Sequence, residues 1–188
     1  MLLIETERLR LAHLDARDAE LILELLNTAA FIRNIGDRGV RTLDDAREYI
    51  ETGPIASYQQ HGFGLNRVSL REGGATIGIC GLLKRAHLEH PDIGFALLPR
   101  YWSCGYAREA AAAVIADGQQ THGLNKLLAI TALENPDSIR LLEKLGFVFQ
   151  GLMQAPVTDE TLRLFARDSD SLHADPIAPS DHIREAAR

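Results

Sequence analysis

The sequence predicts a mixed α/β (α+β) domain built on one central sheet, and three observations carry that prediction. Apolar or alternating runs and amphipathic runs follow one another as strand, two helices, three strands, helix, strand, helix and two strands. A hairpin signal, Glu72-Gly73-Gly74-Ala75, joins two of the runs and makes the middle of the sheet antiparallel. An Ala-rich helix between two apolar runs makes the sheet locally parallel, because parallel neighbours need a crossover. The expectation is a mostly antiparallel sheet of about six to seven strands flanked by about four helices.

Taken in order, "RLRLAHL" alternates charge with Leu9 and Leu11, as a half-buried strand does. "DARDAELILELLN" offers Asp15 as N-cap with Asp18 three residues on, and Leu21, Ile22, Leu25 and Leu26 at helical spacing. "TLDDAREYIE" repeats the design, with Thr42 as cap and Leu43, Ala46 and Ile50 on one face. "GFGLNRVSLRE" and "ATIGICGLLKR" are the hairpin strands, and "PDIGFALLP" is a third strand closed by Pro99. A helix runs from about Tyr106 to His122 and is stopped by Gly123. "NKLLAITAL" is an apolar strand. "NPDSIRLLEKLG" has Asn135 as cap, Pro136 at the first helical position and Gly146 as terminator. "FVFQGLM" and "TLRLFAR" close the sheet.

With 188 residues, 46% of them apolar, the chain suits one domain with a full core. We place that domain at residues 1–167 and read 168–188 as a polar, Pro-punctuated tail, with a short terminal helix as one reading of its end. The formal charge of −6 argues against nucleic acid or an anionic membrane as partner. No run of about 18 apolar residues exists to span a membrane. Acids directly after "MLLI" do not fit a signal peptide. Cys80 and Cys104 are too few for a disulfide scaffold, and a reducing cytoplasm is the expected location.

The chemistry concentrates before the Ala-rich helix. Ala107, Ala110, Ala111, Val114, Ile115 and Gly118 form one stripe of small and apolar residues, which lets the helix axis lie close to the sheet. Its first-turn N–H groups lack intrahelical partners, and the dipole is positive at that end. Ser103, Cys104 and Gly105 are small enough to let an anion touch backbone, and Arg108 sits one turn in. These features suit a pyrophosphate held by main-chain amides. The residues alone leave a bland tight turn open. They exclude a Rossmann fingerprint, which needs G-x-G-x-x-G, and a P-loop, which needs Gly-Lys-Ser/Thr.

"DIGFALLPRYWSCGYAREAAAAVI" followed by "LNKLLAITALENPDSIRLLEKLGF" resembles the GNAT acyl-CoA-dependent N-acetyltransferases, nearest to the ribosomal-protein N-terminal (RimJ/RimL-like) branch. The family loop Q/R-x-x-G-x-G/A corresponds to Trp102-Ser103-Cys104-Gly105-Tyr106-Ala107. Gly105 and Ala107 match; Trp102 replaces the Gln/Arg, and Ser103-Cys104 stands where the branch usually has Gly-Lys. The resemblance runs from about Glu5 to Met153 and is strongest from Asp92 to Phe147. It implies a sheet splayed at the acyl-CoA site, acetyl-CoA as co-substrate, no metal, and a primary amine as acceptor: a protein N-terminus or a small-molecule amine. The net charge of −6 suits a cationic acceptor such as a polyamine or aminoglycoside without choosing among them. A homodimer is left open.

By the same resemblance, Ser103, Cys104, Gly105, Tyr106, Ala107 and Arg108 hold the pyrophosphate, and the pantetheine arm pairs with backbone at Leu97 and Leu98. An N–H at or near Leu98 serves the oxyanion. Ser138 hydrogen-bonds the leaving thiolate, with a plain helix-capping role as its alternative. Asn135 bonds the pantetheine arm, caps its helix, or does both. The branch carries a Glu as base where this chain has Val157. Asp159, Glu160, Asp92 or a water chain remain as substitutes, and Asp92 also reads as a solvent-facing carboxylate at a strand edge.

The missing Glu keeps alive a non-catalytic acyl-CoA sensor or scaffold, and a protein binding some other nucleotide diphosphate is a third reading. "HLEH" (His87, Leu88, Glu89, His90) lacks zinc-site spacing and reads as a hairpin turn. Cys104 has no His beside it, and direct transfer needs no covalent step. Tyr101 and Trp102 read as packing residues. The acceptor wall is expected from the first two helices and the loop between Phe31 and Val40.

Overall fold

The computed structural model describes residues 3–156 and 160–169. One sheet runs in the order β1-β2-β3-β4-β5-β6-β8-β7. Its strands are β1 (Leu3–Glu5), β2 (Leu9–His13), β3 (Leu65–Leu70), β4 (Thr76–Leu83), β5 (Asp92–Leu97), β6 (Lys126–Ala132), β7 (Val148–Gln154) and β8 (Thr161–Asp168). Only β5 and β6 are parallel; the other neighbours are antiparallel. Between β2 and β3 lie α1 (Ala19–Leu26), α2 (Ala29–Asn34), α3 (Leu43–Ile50) and α4 (Ala56–His61). The crossover α5 (Tyr106–His122) joins β5 to β6, and α6 (Pro136–Lys144) joins β6 to β7.

The predicted caps are where the sequence puts them. Asp15 and Asp18 form a reciprocal capping box over a 3₁₀ turn that feeds α1, and Thr42 with Asp45 does the same for α3. Asn135 accepts from Ser138 N at the head of α6, and Gly123 (φ +63°) ends α5 in the left-handed conformation. "HLEH" lies in the turn between β4 and β5, closed by Leu88 N donating to Arg85 O.

Three elements were not expected. β1 pairs with β2 through Leu3↔Ala12 to Glu5↔Arg10, giving eight strands in place of six to seven. Thr28 caps the short α2 inside the segment read as a loop. After α3 the chain stays helical through Gly53-Pro54: it widens into a π turn over Glu51–Ile55, then continues as α4. A π turn tolerates a proline because the looser ring relieves the missing N–H and the clash with the preceding turn.

Two cores cover the two sheet faces. On one, Ala110, Ala111, Val114 and Ile115 of α5 pack on Leu9, Leu11, Val68, Cys80, Leu82, Ile93 and Leu97. On the other, Leu21, Ile22, Leu25 and Leu26 of α1 pack with Phe31, Ala46 and Ile50 against Ile79 and Leu98. The period-2 alternation of β4 and β5 sorts neighbours to opposite cores. Gly118 sets how close α5 lies: a Cβ there would stand 2.8 Å from Leu82 Cδ1. Gly118→Val should therefore destabilise the protein by about 1–3 kcal/mol through overpacking, read as a lower urea midpoint at unchanged slope.

Candidate functional site

The site starts where β5 and β6 part. Their ladder registers at one pair, Asp92↔Leu128, anchored by Leu128 N donating to Pro91 O (2.9 Å). Beyond it the strands separate while each keeps its outer neighbour, β4 on one side and β8 on the other. Leu98 N donates to Ile77 O (2.9 Å), which fixes the alternation along β5. The main-chain groups of residues 94, 96 and 98 turn to β4, and those of Phe95 and Leu97 face the gap. The Leu98 N–H, at or near which the oxyanion donor is expected, is committed to Ile77 O, and its side chain is buried in the second core; the neighbouring Leu97 N–H is the one on the gap side. Leu97 O accepts from Trp102 Nε1 (2.7 Å), so Trp102 braces the strand end, as a packing residue would.

Both parallel strands deliver their loops to the same mouth, outside their carboxyl ends. After β5, a 3₁₀ turn at Pro99–Tyr101 leads into Trp102–Gly105. Ser103 (φ +60°) is the one described non-glycine residue at positive φ, and Gly105 (φ +80°) is left-handed too. For an L-residue this conformation costs roughly 1–2 kcal/mol, which the surroundings must offset. Gly105 is the N-cap of α5 and has no side chain to cap with. The first helical bond is Glu109 N to Gly105 O, so the N–H groups of Tyr106, Ala107 and Arg108 precede the ladder. After β6, Asn135 and Ser138 come to the same end of the sheet.

One carboxylate lies in the first turn of α5, Glu109, and it is held from behind. Thr6 Oγ1 (2.6 Å) and Arg8 N (2.8 Å) donate to its Oε1, and Arg8 Nε and a terminal nitrogen reach Oε2 at 2.7 Å. Burial pushes the Glu109 carboxyl up, but these donors together outweigh it and hold the group below the usual range. Arg8 also donates to Cys104 O (3.0 Å) and lies over the Tyr106 ring at 4.7 Å. One guanidinium thus grips the loop and the helix start. The sequence hid this, because an acid in a first turn is already explained by the dipole.

Two cavities adjoin α5 and β5. One, of about 390 Å³, lies between α5 and α6, where Arg108 joins Lys144 and Arg167 over Ala112 and Ile115. Arg108, expected at the pyrophosphate, lines this cavity. The other, of about 220 Å³, opens on the face opposite α5. Phe31, Ile35, Leu65, Ile79 and Leu83 give it apolar walls, Gly94 and Ala96 belong to β5, and Arg38, Tyr49 and Arg85 supply its polar groups. Phe31, Ile35 and Arg38 of the loop segment and Tyr49 of the second predicted helix fall in the predicted acceptor wall; Arg85 does not. Tyr49 reads from sequence as one more residue of an apolar helix face, and Arg85 as a strand-end charge.

Asp92 is no solvent carboxylate. It is 1% exposed, and Arg85 Nε donates to both of its oxygens at 3.0 Å. Burial raises its pKa, with Arg85 and His87 pulling the other way. Among base candidates Glu160 is described, while Val157 and Asp159 lie outside the described residues, as do residues 170–188 of the predicted tail. The domain's last strand reaches Asp168, one residue past the predicted boundary. Among the described residues no three His, Cys, Asp or Glu side chains group to hold a metal ion, and no helix is long and apolar enough to cross a membrane. Cys80 is buried and Cys104 exposed, both as free thiols.

A sheet parted at one parallel pair, with an uncapped helix start at the mouth of the gap, is the acetyltransferase fold that the sequence motifs imply. The acetyltransferase (GNAT) domain family matches residues 8–148, and the chain belongs to that family. It is 28% identical over 154 residues to the uncharacterized N-acetyltransferase YoaA of Bacillus subtilis, covering 81% of this chain and 86% of that one. A GNAT-family acetyltransferase from Bacillus anthracis superposes with a TM-score of 0.75 at 24% identity, covering 90% and 99% of the two chains. A RimL ribosomal L7/L12 α-N-protein acetyltransferase in complex with coenzyme A gives 0.78 at 14% identity, again over 90% and 99%.

The Arg85–Asp92 pair yields a stability prediction. Arg85→Met leaves a buried carboxylate unpaired and should cost roughly 1–3 kcal/mol at pH 7, a range reduced for the arginine's partial exposure. A carboxyl whose pKa is raised by folding favours the fold as pH falls toward its ordinary value of 3.8. The penalty should therefore shrink between pH 7 and pH 5 in urea titrations. A penalty that stays constant over that range contradicts this account.

Proposed function

We propose that this chain transfers an acetyl group from acetyl-CoA directly to a primary amine. The observation that carries the proposal is the mouth of the gap, where unpaired amides of β5 and uncapped amides of α5 converge with no free carboxylate in the first turn. A Cβ built on Gly105 meets only Arg8 at 3.4 Å, so the face of the loop is open. The amides of Gly105, Tyr106, Ala107 and Arg108, with the loop backbone at Ser103 and Cys104, would hold the pyrophosphate against the positive helix end. The pantetheine arm would pair with Phe95 and Leu97 as an added strand. The cavity shared by Arg108, Lys144 and Arg167 suits the phosphorylated nucleotide end.

In the transfer, the neutral amine attacks the thioester carbonyl, a C–N bond forms, the C–S bond breaks, and the amine's proton goes to solvent. An ordinary alkylamine has a pKa of about 10.4, so binding must favour its neutral form. The Leu97 N–H is the donor for the developing oxyanion. The Ser138 hydroxyl has no hydrogen-bond partner among the described residues, which leaves it available to the departing sulfur. Asn135 is committed through its side-chain oxygen to capping α6, and its amide nitrogen remains for the arm. No Asp or Glu among the described residues lines the cavity opposite α5, so we assign the proton to water and name no carboxylate base. Acetyl-CoA with a mixed amine and peptide panel, followed by thiol release and mass shift, tests the reading; tight CoA binding with no release on any amine would instead fit a sensor.

Two variants refine it. Gly105→Val puts a branched side chain at φ +80° and in the phosphate path, and should weaken CoA binding at least tenfold by calorimetry. Ser138→Ala should lower kcat about tenfold or more and leave KM for acetyl-CoA nearly unchanged, because the lost bond forms only as the thiolate leaves.

A further inference from the structure

We propose that the acceptor is a small primary amine that also carries a carboxylate, a free amino acid with an apolar side chain, bound in the cavity opposite α5. The inference deepens the transferase reading and rests on it for the direction of transfer, while the cavity's chemistry stands by itself.

The cavity touches β5 at Gly94, Phe95 and Ala96, the stretch beside the gap. An occupant there meets the reacting carbonyl from the face that α5 does not cover. Its volume, about 220 Å³, lies below the range usual for drug-sized ligands, so it takes a compact group. Gly94 lets the Leu83 side chain of the wall lie close on β5, since a Cβ at that position would stand 2.7 Å from Leu83 Cδ1.

The polar lining has one sign. Arg38, Tyr49 and Arg85 line the space, with no carboxylate among the described lining residues. Arg85 is aimed: its Nε is fixed on Asp92, and its two terminal nitrogens have no hydrogen-bond partner among the described residues. Arg38 makes one long contact, NH2 to Ile35 O at 3.4 Å, and no ion pair. Burial raises the Tyr49 hydroxyl pKa while Arg38 and Arg85 pull it back. Forked guanidinium donors without a protein acceptor match a carboxylate. They repel an ammonium, which favours the neutral, attacking form of the amine. That second effect supplies what the absent cavity carboxylate does not. A polyamine would bring only positive charge into this lining.

The test is calorimetry on the full chain. A CoA titration comes first: if CoA does not bind, the transferase reading fails, and the same panel run on the free protein still tests the cavity. The panel is leucine, methionine and phenylalanine, their carboxamides, spermidine, and an amidated peptide with an acidic second residue. At least one free amino acid should bind, at least tenfold tighter than its amide, with spermidine undetectable. Arg38→Gln should bring acid and amide within about threefold at unchanged CoA affinity. Arg85→Gln with Asp92→Asn, which leaves no charge buried alone, should do the same with a retained melting transition. The proposal is overturned if an amide or spermidine binds as tightly as the acid, if no amino acid binds, or if the preference survives both variants. Tighter binding of the peptide overturns it in favour of a protein N-terminus.

Discussion

Everything functional in this molecule follows from two parallel strands that touch once and then part. A sheet normally satisfies every main-chain donor and acceptor across its ladder, and leaving such groups unpaired away from water costs as much as a lost hydrogen bond. Here Asp92↔Leu128 closes the ladder at one end, and beyond it the gap-facing groups of Phe95 and Leu97 have no strand to meet. An extended ligand with its own amides repairs that deficit in the way another strand would. The parting also gives the protein two approaches to one point: along the strands from the mouth, and across the sheet from the face opposite α5.

On the proposed reading, the mouth attracts anions without filling itself. A helix start is ordinarily quenched by its own cap, as Asp15, Thr28, Thr42 and Asn135 do elsewhere in this chain. At α5 the cap is glycine, and the nearby acid is neutralised from behind by Thr6 and Arg8. Arg8 spans from Cys104 O to Glu109, so the loop that holds Ser103 and Gly105 at positive φ is tied to the first turn it must serve. The clamp therefore offsets a strained backbone and shields an open one together. It also explains why a chain that lacks the usual loop lysine can keep an electropositive mouth: the positive end is made of amides.

What the sequence made legible divides along the same line. Local signals sufficed wherever a residue's chemistry decides its own neighbourhood: caps at Asp15, Thr42 and Asn135, the stop at Gly123, the stripe on α5, the small residues of the loop. The β1 strand was missed because three residues beside a terminus carry no period to count. The helical path through Gly53-Pro54 was missed because those residues break helices on average, and the burial of Pro54 in the π turn is no local signal. Long-range facts were out of reach. Which β5 amides face the gap depends on the register with β4, which commits the Leu98 N–H to Ile77 O and leaves that of Leu97 on the gap side. Asp92 looks like a surface charge until Arg85 is folded over it.

The same limit governs the reading of charge. A net charge of −6 argued for a cationic acceptor, yet net charge is a sum over a surface, and exposed charges are screened beyond about 10 Å in ordinary salt. A bound substrate responds to the groups within a few ångströms, in a medium less polar than water, where each counts for more. Acids outside the cavity are spent in pairs such as Arg17–Asp15, Arg41–Asp37 and Arg47–Asp44. The cavity itself holds the opposite sign, and one arginine there is turned toward it by an acid buried underneath. Asp92 thus holds Arg85 in place, with its own charge spent on the guanidinium, so an acceptor bound as proposed would meet the field of the two cations. An acidic protein can in this way present a basic pocket, and the pocket decides what binds.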